Sequence, residues 1–446
     1  MVRGFPSRAK SRAARRAAKR PHGAGPIAAV ARELLLRRFE AIRGGSLEIR
    51  FPSGKTRRFG ERGTGLDAAV DVRDESAFRR FVLRGDIAFG ETYAEGLWTS
   101  PDLAAVTRLA ARNVRLFDSG GRAPAVLSRV VQRLRHGRHR NSVEGSRENI
   151  RHHYDLGTDF YSLFLDPTLT YSCGVFDPPG ISLEEAQVAK FDRIAAALEL
   201  APGDRLLEIG SGWGSFAIHA ATRYGCRVTT TTISRAQHEH VEERIVRERV
   251  GDRVTLLLED YRSLSGSFDK VVSIEMFEAV GLNYYDDYFG AVDRLLEPGG
   301  AMLLQTIWMN EDRFPRYRRQ PDFIQRYIFP GSELASLAEI RRSLVRATGL
   351  EVAGVDEIGL HYAETLAAWR RSFLARLDRV RALGFHETFI RMWDYYLAYC
   401  EAGFAEGYIG DVQLLLTKTA VSRGLVRSAP ARAAADHPIS QHISHR

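Results

Sequence analysis

The sequence feature that most constrains the fold is the stretch RLLEIGSGWG at Arg205–Gly214. A short apolar run ends at Ile209, and glycines then occupy alternate positions, at Gly210, Gly212 and Gly214. Apolar residues recur at helical spacing after the last glycine, so the pattern predicts a strand, a tight turn and a helix. Glycines let the backbone approach a ligand closely, and a helix N-terminus supplies free N–H donors. The stretch therefore predicts a ligand site, with a plain connection between a buried strand and a helix as the alternative.

Predicted strands and helices alternate around this stretch, in a region that begins near Ile150. The predicted strands are Arg205–Ile209, Arg227–Thr231, Val254–Leu258, Lys270–Ile274 and Ala301–Thr306. The predicted helices are Leu183–Leu198, Ser215–Tyr224, Ala236–Val250 and Tyr285–Leu296. Such alternation is typical of an α/β fold with a doubly wound, mainly parallel, Rossmann-like sheet. The G-x-G-x-G spacing of the turn differs from the G-x-G-x-x-G of dinucleotide-binding folds.

Composition and pattern divide the chain into five predicted segments. These are a basic disordered tail (1–27), a smaller N-terminal α+β domain (28–117), a basic linker or amphipathic arm (118–149), the α/β domain (150–422) and a disordered tail (423–446). Apolar residues at helical spacing among arginines predict a short amphipathic helix in the linker. That helix either lies on a membrane surface or packs as an ordinary interdomain helix.

The N-terminal α+β domain carries several local signals. A helix is predicted at about Pro26–Phe39, and alternating residues around a Ser-Gly turn predict a hairpin over 46–60. A strand and a helix follow, and we expect Asp74 or Ser76 to cap that helix. A further helix is predicted from about Pro101 to Leu116.

The net charge of +9 is unevenly distributed, since no acidic residue precedes Glu33. This segment would be attracted to an anionic surface, either phospholipid headgroups or nucleic acid, or it is a solubilising tail. No apolar run reaches the length of a membrane-spanning helix. The three cysteines are far apart, which indicates a reducing compartment rather than a disulfide framework.

The carboxyl ends of the first four predicted strands carry the polar strings GSGWG, TISRAQ, EDYR and EMFEAVG. In an open parallel sheet these ends meet at one crevice. The glycine turn with Glu208 before it resembles the first motif of class I methyltransferases, which bind S-adenosylmethionine. Asp260 suits a contact to adenine. At the second strand, Thr232, Ser234 and Gln237 stand where many such enzymes have an acid, and they offer equivalent hydrogen bonds.

The string after the fourth strand argues against a nucleic-acid substrate. Methyltransferases that modify amino groups of nucleic acids usually carry a Pro-Pro-aromatic motif there, and EMFEAVG has none. The DPPG string at Asp177–Gly180 precedes the sheet and does not replace that motif. An RNA methyltransferase attracted by the basic tail is therefore a weakly supported alternative, and we expect neither a nucleic-acid partner nor a metal.

Eight strings, some of them quoted above, carry a wider resemblance. They are GDIAFGETYAEGLW, NIRHHYDLGTDFYSLFLDPTLTYSCGVF, LLEIGSGWGSFAIHAA, TISRAQ, EMFEAVG, RYIFPG, HYAETLAAW and MWDYYLAYCEAGF. Over residues 80–420 the chain resembles the cyclopropane-fatty-acyl-phospholipid synthases, including the mycolic-acid cyclopropane synthases. The resemblance implies a class I methyltransferase fold preceded by a lipid-binding domain. It implies methylene addition across a cis double bond in phospholipid acyl chains, at the inner face of a bacterial membrane, by a cytoplasmic, peripheral enzyme that could form a homodimer.

The same resemblance implies roles for individual residues. Tyr171 matches a tyrosine near the transferred methyl group, with a packed core tyrosine as the alternative, and aromatic faces stabilise cations. A bound bicarbonate is the implied base, held by Cys173 (chiefly its backbone), Glu278, the Ile307 backbone and Tyr362. Cys400 matches a cysteine near this site, or it is simply a small buried residue. The implied cofactor contacts are Tyr154, Ser172, Glu208, Gly210, Gly212, Trp213, Gly214, Thr232, Ser234, Gln237, Asp260, Tyr261 and Glu275.

The sequence departs from this pattern at two positions. Gln305 stands where well-known members have histidine, and Ala279 replaces the histidine after the site glutamate. Glutamine can hydrogen-bond an anion but cannot carry a proton. Two products therefore stay open, a cyclopropane or a methylene or methyl branch of the 10-methyl fatty acid type. A non-catalytic lipid-binding homologue is a third, remote alternative.

Overall fold

The structure, a computed structural model, describes residues 26–118 and 156–419. The predicted linker helix and nearly all of both predicted tails lie outside these residues, and so does Tyr154. Within the described ranges, no helix is long and apolar enough to cross a membrane.

The N-terminal unit is a small mixed sheet covered by helices. Its elements are α1 (Pro26–Phe39), β1 (Gly45–Arg50), β2 (Thr56–Gly60), β3 (Leu66–Val72), α2 (Ser76–Arg84), α3 (Asp86–Ala94), β4 (Trp98–Thr99), α4 (Leu103–Arg112) and α5 (Val114–Asp118). The strand order is β2-β1-β3-β4, with β1 antiparallel to β2 and parallel to β3. The predicted first helix and hairpin are confirmed.

Two local predictions in this unit need correction. Glu75 is the N-cap residue of α2, and the Asp74 carboxylate instead accepts a hydrogen bond from the backbone N of Ser76 at 2.8 Å. The helix predicted over 101–116 is divided into α4 and α5. Asn113 lies at the break, where its side-chain amide donates to two backbone carbonyls and so competes with helical hydrogen bonds.

The larger unit is built around a seven-stranded sheet. Its elements are α6 (Thr158–Tyr161), α7 (Leu183–Ala197), β5 (Arg205–Ile209), α8 (Ser215–Arg223), β6 (Arg227–Thr231), α9 (Arg235–Arg247), β7 (Val254–Leu257), β8 (Phe268–Ile274), α10 (Tyr285–Leu295), β9 (Leu296–Met309), α11 (Phe314–Tyr317), α12 (Phe323–Tyr327), α13 (Leu337–Ala347), β10 (Leu350–Glu357), α14 (Gly359–Ala375), α15 (Leu377–Ala382), α16 (Glu387–Ala405) and β11 (Ile409–Lys418).

The strand order of this sheet is β10-β11-β9-β8-β5-β6-β7. Only β11 is antiparallel to its neighbours, β9 and β10, among the strands that the structure describes. The predicted α/β fold with a doubly wound, mainly parallel sheet is confirmed. β9 extends beyond the predicted 301–306 at both ends because it pairs with β8 on one side and with β11 on the other.

The two units share one hydrophobic core. Trp98 and Leu109 of the N-terminal unit belong to the same buried cluster as Trp369 of α14 and Trp393 of α16. Polar contacts also cross between the units, since the Thr107 hydroxyl donates to the Ala398 carbonyl oxygen at 2.9 Å. The N-terminal unit is therefore packed onto the helices that follow the sheet, which allows both units to line one cavity.

Candidate active site

The predicted glycine turn has the backbone that only glycine adopts readily. Gly210, Gly212 and Gly214 have φ angles of +99°, +51° and +85°. A Cβ on Gly214 would lie 3.0 Å from Val241 Cγ1, whereas a Cβ on Gly212 would meet no protein atom within 4 Å. Gly212 lines a large cavity at the carboxyl edge of the sheet. The turn thus presents bare backbone to an open space, as a cofactor cradle requires.

An arginine that sequence reasoning missed holds this turn in place. Arg244 of α9 is buried, and its Nη1 donates to the carbonyl oxygens of Trp213 at 2.8 Å and Thr168 at 3.1 Å. Ser211 N donates to the Thr231 carbonyl oxygen at 2.8 Å, which fixes the turn against β6. The sequence gives no signal for Arg244, because several charged residues surround it in α9.

The predicted cofactor residues that the structure describes divide into two groups. Lining the cavity are Ser172, Glu208, Gly210, Gly212, Trp213, Thr232, Gln237, Asp260, Tyr261 and Glu275. Gly214 and Ser234 lie outside this lining: Gly214 is the N-cap residue of α8, and Ser234 caps α9. The Thr232 hydroxyl donates to Gln237 Oε1 at 2.8 Å, so these two side chains orient each other at the end of β6.

Two acids at this edge differ in environment. Glu208 is buried, and burial raises its pKa to about 8 although the Thr230 hydroxyl donates to it at 2.5 Å. Asp260 accepts hydrogen bonds from Arg262 through Nε at 2.7 Å and Nη2 at 2.8 Å. Asp260 is therefore paired with an arginine beside the cavity, whereas burial favours the protonated form of Glu208.

The cavity, about 1940 Å³ in volume, extends from the strand ends into the N-terminal unit. Most of its lining in that unit is apolar and includes Leu47, Phe78, Trp98 and Leu109. Five of the predicted catalytic residues also line it: Tyr171, Glu278, Ile307, Tyr362 and Cys400. One continuous space therefore joins the predicted cofactor edge to an apolar channel.

Tyr171 lies in an aromatic cluster beside this space. Its ring centroid is 5.1 Å from that of Trp369, 5.3 Å from that of Tyr161 and 6.3 Å from that of Phe329. Its hydroxyl is 2.7 Å from that of Tyr396. Several aromatic faces around one point are suited to stabilising a positive charge that develops during a reaction.

The carboxylate of the half-buried Glu275 is the centre of a polar cluster whose other members are buried. Its Oε1 accepts from Cys173 N at 2.7 Å and from Gln305 Nε2 at 2.8 Å, and its Oε2 accepts from the Tyr362 hydroxyl at 2.5 Å. Burial raises the pKa of Glu275, while the hydrogen bonds and the nearby Lys190 ammonium oppose that rise. The resemblance placed Glu275 among the cofactor ligands; in the structure it lines the cavity with them and is also hydrogen-bonded to predicted catalytic residues.

Glu278 lies in the adjoining turn after β8 and is bonded separately. Its Oε1 accepts from Ile307 N at 2.6 Å and from the Thr306 hydroxyl at 2.9 Å. Burial and then the charge of Glu275 raise the pKa of Glu278 to about 7. The two glutamates thus share a low-dielectric site without sharing donors.

These bonds test whether the site fits a bicarbonate ion. The predicted donors from Cys173 and Tyr362 already bind Glu275, and the predicted donor from Ile307 already binds Glu278. An additional anion would compete with two carboxylates for the same donors and would add to their mutual repulsion. The described residues therefore do not form a separate bicarbonate site.

Sequence reasoning missed two ionisable residues around this cluster. Asp411 of β11 accepts from Gln305 Nε2 at 3.0 Å, and the fully buried Lys190 of α7 donates to the Ser172 hydroxyl at 2.6 Å. Burial lowers the pKa of Lys190 to about 8. Asp411 and Gln413, which alternate with apolar residues in the first half of β11, were the available signal. Burial raises the pKa of the Cys173 and Cys400 thiols, so neither cysteine is a ready nucleophile.

Comparison with known proteins places this geometry in context. A family model described as mycolic acid cyclopropane synthetase matches residues 141–414. The tuberculostearic acid methyltransferase UfaA1 of Mycobacterium tuberculosis is 38% identical over 353 residues, covering 78% of this chain and 82% of that protein. The cyclopropane-fatty-acyl-phospholipid synthase of Escherichia coli K12 is 35% identical over 353 residues, covering 78% of this chain and 86% of that protein. The structure of mycolic acid cyclopropane synthase CmaA1 complexed with SAH and CTAB is 33% identical, with a TM-score of 0.57, and covers 61% of this chain and 98% of that chain.

Proposed function

We propose that this chain, a member of the mycolic acid cyclopropane synthetase family, acts on the cis double bond of unsaturated phospholipid acyl chains. The family membership makes it an S-adenosylmethionine-dependent methyltransferase of lipids. The product that we propose is a cyclopropane fatty acyl chain. The observation that carries this proposal is the single cavity that connects the glycine turn to an apolar channel in the N-terminal unit.

The residues at the sheet edge fit S-adenosylmethionine. The bare backbone of Gly212 accommodates a group at the turn, and Asp260 and Gln237 line the adjacent part of the cavity. The bound molecule supplies an electrophilic methyl group on a sulfonium centre. Tyr171 stands on the aromatic side of the same cavity, where the reacting carbons of the lipid would lie.

The apolar channel suits an acyl chain. Residues of α1, β1 and α4, including Leu35, Ile49 and Leu109, line it beside Phe78 and Trp98. Burying methylene groups against such a lining is favourable by about 0.8 kcal/mol per CH₂. A phospholipid chain could therefore leave a bilayer for this channel, and the basic N-terminal sequence supplies electrostatic attraction to anionic headgroups. We propose peripheral docking on the membrane surface on these grounds.

The chemistry follows from an alkene being a weak nucleophile without an acidic proton. Its π electrons form the new bond to the methyl carbon as the bond from that carbon to sulfur breaks. The other alkene carbon becomes a cation, which the aromatic faces around Tyr171 stabilise. A base in the Glu275–Glu278 cluster then removes a proton from the transferred methyl group, and the freed electron pair closes the three-membered ring.

A branched product is the second candidate. Two observations favour it, namely Gln305 in place of histidine and the similarity to a relative named tuberculostearic acid methyltransferase. In that reaction a hydride shift precedes loss of the proton and gives an exocyclic methylene branch, which a separate reductant could convert to a methyl branch. The cation and the aromatic cluster serve both outcomes.

Lipid analysis of cells that produce the protein tests the proposal. The host should contain monounsaturated phospholipids and lack a cyclopropane synthase of its own. We expect new acyl chains heavier by one CH₂ group, with upfield ring protons in the NMR spectrum. Vinylic protons of a methylene branch would establish the second candidate. Unchanged acyl chains in cells that contain soluble protein would refute both.

A further inference from the structure

Resting on the proposed function, we propose that the carboxylate of Glu275 is the base of this enzyme and occupies the place expected for a bound anion. The donors implied for bicarbonate come from different parts of the chain, and two of them converge on this one side chain. Cys173 N and the Tyr362 hydroxyl bind separate oxygens of Glu275. The base is thus part of the polypeptide.

The backbone of Glu275 supports a special role. Its φ of +49° lies in the left-handed region, which strongly favours glycine and costs other residues free energy. The residue follows β8 directly, and its backbone N donates to the Gln305 carbonyl oxygen at 2.9 Å. A glutamate in this backbone conformation lowers the stability of the folded chain, and residues with such backbone strain are found most often at functional sites. Here it directs the carboxylate toward the cavity that Tyr171 also lines.

Gln305 completes the arrangement. Its Nε2 donates to Glu275 at 2.8 Å and to Asp411 at 3.0 Å, and its Oε1 accepts from Gln413 Nε2 at 3.0 Å. A neutral amide can bridge two carboxyl groups without itself gaining or losing a proton. Three donors reach Glu275, whereas Asp411 receives the Gln305 amide and is itself hydrogen-bonded to Glu275, so the ionised member of the pair is Glu275 and the protonated member, which can donate to it, is Asp411.

Glu275 takes the proton from the transferred methyl group directly. A C–H bond of the transferred methyl group breaks, and its proton forms an O–H bond on Glu275. The electron pair of that C–H bond becomes the last C–C bond of the ring, or the C=C bond of a methylene branch. Product departure opens the cavity, so that Glu275 returns its proton to water before the next turnover.

Glu278 is less suited to this step. It lies three residues further along the chain, and both of its donors, the Thr306 hydroxyl and the Ile307 backbone N, belong to β9. Glu275, in contrast, is bonded to Cys173, two residues from Tyr171, and therefore sits beside the segment that would flank the methyl group.

Two substitutions of Glu275 should differ in whether added bicarbonate restores their turnover. Glu275→Gly suits the left-handed backbone, removes the carboxylate and frees the Cys173, Gln305 and Tyr362 donors for a small anion. Glu275→Gln keeps the site filled but cannot accept a proton. Purified full-length protein would be assayed with S-adenosylmethionine and vesicles of monounsaturated phospholipid, in bicarbonate-free buffer and with added bicarbonate or formate. Thermal unfolding and calorimetric cofactor binding would verify that each variant is folded.

We expect wild-type turnover to be independent of bicarbonate. Both variants should lose about a hundredfold or more in bicarbonate-free buffer, as expected for loss of a general base. Added bicarbonate should restore turnover in Glu275→Gly but not in Glu275→Gln. The inference is overturned if the active wild-type enzyme requires bicarbonate, or if Glu275→Gly is fully active without it. A wild-type protein that never modifies lipid would refute the proposed function itself, and the inference with it.

Discussion

Removal of the Tyr362 hydroxyl should disable the base without disturbing the cofactor. In Tyr362→Phe the ring keeps its place, since it stacks on Phe404 with centroids 4.4 Å apart. The substitution deletes only the hydrogen bond of 2.5 Å from the hydroxyl to Glu275 Oε2. Because that bond lowers the pKa of Glu275 against the effect of burial, its loss must raise that pKa further.

The size of the effect follows from the strength of the bond. A hydrogen bond to a charged group contributes about 1.5–3 kcal/mol, which corresponds to about a 10- to 150-fold change in an equilibrium constant. Below the pKa of Glu275, the fraction of enzyme with an ionised base should fall by this factor. Turnover at low pH should fall equally, and the acid limb of the kcat profile should move to higher pH.

The assay is the pH dependence of kcat, together with calorimetric affinity for S-adenosylmethionine. Tyr224→Phe is a matched control, because its hydroxyl donates to the Asp192 carboxylate at 2.9 Å and does not line the cavity. The control should keep the wild-type profile, and both variants should bind the cofactor normally. A Tyr362→Phe enzyme whose acid limb stays in place would refute the assignment of Glu275 as a base that Tyr362 tunes.

Three further substitutions probe other parts of the structure. Glu278→Gln should bind S-adenosylmethionine normally in calorimetry but lose most lipid turnover, because a negative group beside the forming cation disappears; near-normal turnover would remove Glu278 from the mechanism. Gly214→Ala places a Cβ 3.0 Å from Val241 at a φ of +85°, so we expect a lower unfolding midpoint and weaker cofactor binding. Unchanged binding would show that the turn tolerates a side chain. Tyr93→Phe removes the buried hydrogen bond of 2.6 Å to Asp394 and should cost about 1–3 kcal/mol in urea unfolding. An unchanged midpoint would mean that this bond does not hold the two units together.

The sequence predicted the elements that depend on neighbours in the chain. The strand, glycine turn and helix around Gly212 were recognisable because apolar periodicity and glycine placement are local signals. The order of strings at the strand ends predicted that they share one edge, and the cavity joins them there. The predictions that failed, such as the cap of α2 and the undivided helix ending at Leu116, concern single side chains that compete for backbone hydrogen bonds.

By itself, the sequence determined the α/β fold and the type of cofactor edge, because both follow from short periodic patterns and from the turn of Arg205–Gly214. Tertiary structure alone decided which groups surround Glu275. Its three donors are separated from it by 102, 30 and 87 residues, and no local pattern reports which oxygen each will reach. The energetics of a buried carboxylate depend on all of its neighbours at once. A glutamate that the resemblance assigns to the cofactor therefore lies, once the chain is folded, at the centre of the polar cluster in which we propose the base.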